Sequence, residues 1–220
     1  MVAGGSLNEA IGGAAAVVLS IVGLAGIMPI WMAAISAIAI GAALMVRGIT
    51  LTLRYYSLLD ESGADSADAA ALGGGIGSEV LGGAAGVVLG ILALLNIQPL
   101  IMLPVDAIVL GGTLLLGCGS NCRLNHLVVE HWHSTSNITS RRIASDLMAA
   151  ANTAQAFVGA AVIVLGIVAL LNPFNLTLCL IAFLAAGTSI LLSGGTISSR
   201  MMTMLMRTTS SNGRRFGHAT

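Results

Sequence analysis

Few side chains in this 220-residue chain could do chemistry, and they fall in three places. The first is Asp106, the one acid well inside an apolar run. It follows Pro99 by seven residues, which is roughly 10 Å along a helix rising 1.5 Å per residue. An aspartate near a bilayer centre costs about 2.5–3.5 kcal/mol on insertion scales, so such a group is a functional candidate by default. Three roles are open to it. It can pin one helix to another as a protonated or hydrogen-bonded acid, serve a proton or ion, or contact a partner subunit. No intramembrane base matches it.

The second place is CGSNCRLNHLVVEHWH, 118–133. If a helix continues past Gly119, then Cys118, Cys122, His126, Glu130 and His133 fall within about 120° of one face, at 100° per residue. Thiolate, imidazole and carboxylate are zinc or iron ligands by type, and a metal or haem is the cofactor such a face would hold. The spacing matches no standard signature, and Gly-Ser-Asn can end a helix. The plainer alternative is an interfacial segment, with Trp132 at headgroup level and His and Glu in water. The third place is the tail RMMTMLMRTTSSNGRRFGHAT, 200–220. Its methionines are soft-metal ligands by type, but they equally make an adaptable amphipathic surface, with Arg214-Arg215 against anionic lipid or a neighbour.

Common catalytic signatures are missing from the sequence. There is no Walker loop, dinucleotide fingerprint, His-Glu-x-x-His or nucleophile elbow, and no Lys to carry a Schiff base. Three Cys give no disulfide framework, and Cys179, inside an apolar run, reads as a small buried hydrophobe.

The elements that must position these groups are set by solvent. The chain is 56% hydrophobic and 8% charged, against roughly 25% charged in soluble domains. So few charges cannot cover a water-facing surface, and lipid is the expected surrounding. Nine Arg balance nine Asp and Glu, which argues neither for nucleic acid nor for an acidic partner. The first nine residues lack positive charge and no A-x-A site follows, so the first apolar segment is expected to stay as a membrane helix.

Three apolar regions, 10–46, 80–117 and 156–193, are each long enough for two spans of about 20 residues. Turn residues break each near its middle: Gly26-Ile-Met-Pro29, Asn96-Ile-Gln-Pro99 and Asn172-Pro173-Phe-Asn175. The same fifteen-residue sentence opens each region, as GGAAAVVLSIVGLAG, GGAAGVVLGILALLN and VGAAVIVLGIVALLN. An all-α integral membrane fold follows: six transmembrane helices as three tandem hairpins with approximate three-fold internal symmetry. The hairpins occupy 7–49, 77–119 and 153–195, joined by linkers 50–76 and 120–152 and followed by the tail 196–220. The stretch DESGADSADAAALGGG, 60–75, reads as a flexible polar linker.

Adding 70 and then 76 carries one repeat onto the next. That register equates Gly41, Gly111 and Gly187, and also Glu9, Glu79 and Gln155. Ser6-x-x-Glu9 and Asn152-x-x-Gln155 read as capping boxes. Gly12, Gly82, Gly86, Gly90 and Gly166, with the three equated glycines, form small-residue faces that let helix backbones approach closely in lipid.

Arg47 and Arg54 lie towards the first linker, and Arg123, Arg141 and Arg142 in the second. The tail adds four more Arg, while the hairpin turns have no charge. The positive-inside rule therefore puts both linkers and both termini in the cytoplasm.

The stretch LGIVALLNPFNLTLCLIAFLAAGTSILLSGG, 165–195, resembles the repeat of the HdeD family, bacterial membrane proteins built of short hairpins. The likeness rests on G-I-x-A-L-L-N-P at the hairpin turn and an apolar helix ending near Gly. Asn96-Ile-Gln-Pro99 takes the place of Asn-Pro in the second repeat, and the first keeps only Pro29. The resemblance implies a multi-pass protein of the bacterial inner membrane linked to acid stress, and it assigns no catalytic residue. The functional expectation is a non-catalytic structural or assembly module, as a homo-oligomer or an accessory subunit of a larger membrane complex. Lipid and other membrane subunits would be its partners. The alternative is a proton, ion or small-solute channel or transporter that uses Asp106.

Overall fold

The computed structural model describes residues 3–62, 66–131, 138–172 and 176–193, with side chains at 9–50, 52, 77–118, 153–172 and 176–193. Every element in these stretches is helical. They are α1 (Ala3–Leu24), α2 (Pro29–Ser62), α3 (Ser66–Leu94), α4 (Pro99–His131), α5 (Ile138–Leu171) and α6 (Leu176–Ser193). Five helices contain an apolar stretch long enough to cross a membrane, and α1 contributes the shorter Glu9–Leu24.

The chain turns where its local chemistry demands it. After α1, the Gly26 and Ile27 amides donate to the Gly23 and Val22 carbonyls, with Gly26 at φ +87°. After α3, Asn96 and Ile97 make the same pair of bonds to Ala93 and Leu92, with Asn96 at φ +60°. Both are Schellman endings, in which a left-handed residue lets orphan carbonyls find donors. Pro29 and Pro99 then open the next helices, where a missing N–H costs nothing. Met28 and Gln98, just before them, also take positive φ, a strain the sequence did not announce.

Glycines set the spacing between helices. A Cβ at Gly12 would meet Ala43 at 2.8 Å, joining α1 to α2. At Gly41 it would meet the Gly83 carbonyl at 2.7 Å (α2–α3), at Gly111 the Gly159 carbonyl at 2.8 Å (α4–α5), and at Gly187 the Gly13 carbonyl at 3.2 Å (α6–α1). Gly90 faces Ile38 and the Ala34 carbonyl, and Gly166 faces Ile108 and the Pro104 carbonyl. Gly82 lies against Thr113, and Gly86 against Leu110 and Asp106, which seats α3 on α4. All eight glycines of the sequence argument therefore face another helix of the same chain, and α6 packs back onto α1.

The second helices of the hairpins supply the core. Positions equated by the register are buried together: Ala37, Ala107 and Phe183; Ile40, Leu110 and Ala186; Leu44, Leu114 and Ile190. In the first two sets small and large residues complement one another, the way a dense interior is filled; the third is large in all three repeats. The outward faces of α1, α3 and α5 carry exposed Val18, Leu81, Val88, Phe157 and Val164, as lipid contact requires.

Two expectations change. Of the stretch 60–75, the described residues 60–62 and 66–75 are helical: α2 runs to Ser62 and α3 starts at Ser66. Once a helix is nucleated, each further residue adds a hydrogen bond, and this lets the membrane helices run on through Ser- and Gly-containing sequence. The capping boxes are also absent. The helices begin at Ala3 and Ile138, so Glu9 and Gln155 are helix-interior and their side chains are free for other partners.

Candidate functional site

The polar groups freed in this way meet at the linker end of the bundle. Glu9 lies 17 residues before Gly26 and Arg47 lies 18 residues after Pro29, so antiparallel packing brings them level. That end is roughly 27 Å from the turn at 1.5 Å per residue, near the far edge of a hydrocarbon core of about 30 Å.

Arg47 Nη1 donates to Glu9 Oε1 at 3.2 Å, and Arg47 Nε lies 3.7 Å from Glu79 Oε1. One guanidinium thus bridges α1 and α3 from α2. Ser193 Oγ on α6 lies 2.7 Å from Glu9 Oε1 and 2.9 Å from the Ile190 carbonyl. Its single proton goes to the carboxylate, the charged acceptor. All of this is buried: Glu9 is 5% exposed, Glu79 1%, and the Arg47 side chain 11%. Burial makes the pairing consequential, because stripping one partner from a buried ion pair costs about 3–5 kcal/mol.

The cluster is unevenly satisfied. Glu9 has two donors, whereas neither oxygen of Glu79 has a hydrogen bond. A Cβ at Gly117 on α4 would overlap Glu79 Oε1, so the carboxylate fills the space the missing side chain leaves. Gln155, equated with the two glutamates, is 6% exposed with its Nε2 unpaired. The register also equates Arg47, Gly117 and Ser193. Arg47 and Gly117 face the Glu of their own hairpins, Glu9 and Glu79, whereas Ser193 reaches Glu9 of the first hairpin. Counting Arg47 among the linker charges missed this cluster. Distance from the turns carries the signal that would have found it.

Asp106 is fully buried on α4, two residues past Pro104, and neither carboxylate oxygen has a hydrogen-bond partner. Its Oδ1 would lie 3.1 Å from a Cβ at Gly86, so Gly86 makes its room. Ser36, its equivalent in the first repeat, donates to the Ala16 carbonyl at 3.1 Å and leaves its own oxygen to accept from Ser20 at 3.0 Å. The first hairpin therefore satisfies its buried polar group at this level, and the second does not.

Residues 118–131 of this face lie on helix, since α4 passes Gly119 and continues to His131. Cys118 is buried. The side chains of Cys122, His126 and Glu130, and all of His133, lie outside the described residues, as does the tail 200–220. Among the described residues, no three His, Cys, Asp or Glu are grouped to hold a metal ion. No family model, no curated protein and no solved structure matches the chain.

Proposed function

We propose that this protein is a non-catalytic assembly module of the bacterial inner membrane, with six spans in an approximately three-fold arrangement and both termini cytoplasmic. The observation that carries this reading is the way the helices leave the membrane. Beyond their apolar stretches, α2 runs on from Leu51 to Ser62 and α4 from Gly119 to His131, while α3 and α5 begin well before theirs. At 1.5 Å per residue each extension of α2 or α4 reaches roughly 18–20 Å on one side of the bundle. Such a helical platform suits docking of another subunit. The buried rows of Ile, Leu, Ala and Phe within the bundle support a module that holds position rather than one that conducts. The close-contact glycines are used within the chain, so association between chains falls to the extensions and the tail. The turn sequence G-I-x-A-L-L-N-P supports grouping it with the HdeD-like repeat proteins and, through them, with stress physiology. Deleting 200–220 and then shortening the extensions should reduce the size of the native particle while the bundle stays folded by circular dichroism. An unchanged particle size would count against the platform.

A second reading, a proton or ion transporter, has one observation in its favour: the unpartnered carboxylate of Asp106. It requires flux in liposomes that Asp106→Asn abolishes. Wild-type liposomes no leakier than empty ones would remove it.

A further inference from the structure

We propose that Glu79 holds one monovalent cation, a proton or an alkali-metal ion, where α1, α2, α3 and α4 meet. This site is separate from Asp106 and does not depend on either functional reading. The cluster holds two carboxylates, Glu9 and Glu79, and one guanidinium, Arg47. Arg47 is the sole basic side chain among the residues with described side chains. Its Nη1 is hydrogen-bonded to Glu9, and its Nε stays 3.7 Å from Glu79, beyond hydrogen-bond reach.

The groups facing Glu79 are Arg47 from α2, Glu9 from α1, which repels it, and Gly117 from α4, which brings no side chain. Glu79 is 1% exposed, so water does not compensate for the missing donors. A buried carboxylate without donors or a full counter-charge is too costly to leave bare. One added positive charge brings the cluster to neutrality. The register places a neutral Gln155 at the equivalent position of the third repeat, so an uncharged side chain of this shape fits there.

The test uses the full chain in lipid nanodiscs at neutral pH, with Asp106→Asn as the background to remove the other buried acid. Infrared spectra report the carbonyl stretch of a protonated carboxylic acid, and thermal unfolding is followed with and without sodium chloride against choline chloride. A protonated-acid band that disappears on adding Glu79→Gln identifies the proton. No band, with a sodium-dependent rise in melting temperature lost in Glu79→Gln, identifies the alkali ion. Glu9→Gln gives an independent arm that does not alter Glu79. It returns the cluster to one carboxylate per guanidinium and should abolish whichever signal is present. Absence of both the band and the sodium effect, or a signal unchanged in Glu9→Gln, overturns the proposal.

Discussion

Arg47 reaches two glutamates on two other helices, which makes it the side chain whose loss should cost most. Arg47→Ala removes the guanidinium beside two buried carboxylates and should lower stability by about 3–5 kcal/mol, read by thermal or denaturant unfolding in detergent. Arg47→Lys keeps the charge but loses the planar fork, so it should fall between the two. Equal stability of Arg47→Ala and wild type would mean that the cluster is solvated. Gly117→Ala tests the other side of Glu79. Its methyl has no room beside Oε1, so Glu79 must move, and a melting temperature several degrees lower is expected. These residues were legible in the sequence only in part. The register had aligned Glu9 with Glu79 and Gln155, but Ser6-x-x-Glu9 mimics a helix start. Arg47 sits at the end of an apolar run, where it resembles a loop charge. Local pattern describes what a residue can do within its own helix. The Glu9–Arg47–Glu79 contact spans three helices, so only counting outward from the turns reveals it.

The helices themselves were far easier to read. Apolar runs interrupted by Gly26-Ile-Met-Pro29 and Asn96-Ile-Gln-Pro99 gave hairpins in the right places, because a left-handed ending followed by Pro leaves a helix no way to continue. The turns should respond to substitution accordingly. Gly26→Val forces a β-branched residue to φ +87° and should cost about 1–3 kcal/mol. Asn96→Gly removes a Cβ from the same position of the second turn and should be neutral or slightly stabilising. If both substitutions left unfolding unchanged, the turns would not be fixed in these conformations. The helix ends beyond the membrane were misread in 60–62 and 66–75, because Ser, Asp and Gly signal loops on average. A helix already paired in the membrane can carry such residues further than their propensities suggest.

At the scale of the molecule, one packing unit is written three times, and the copies differ where polar groups enter. Ser36, Asp106 and Ala182 occupy one level; Arg47, Gly117 and Ser193 occupy another. Asp106→Ser, which installs the first repeat's residue, should leave the fold intact and be no less stable than wild type, since it removes a buried carboxylate with no hydrogen bond. A large loss of stability would instead show that Asp106 pins α4 to a neighbour. Reporter fusions after residue 220 should be active in the cytoplasm, and fusions within 26–29 outside it; the reverse would invert the proposed orientation. Assembly is tested first by the mass of the particle extracted in mild detergent from its own membrane. An assembly module gives a particle larger than the 22.1 kDa chain, containing several copies or stoichiometric other subunits. A single chain with no companion would contradict it.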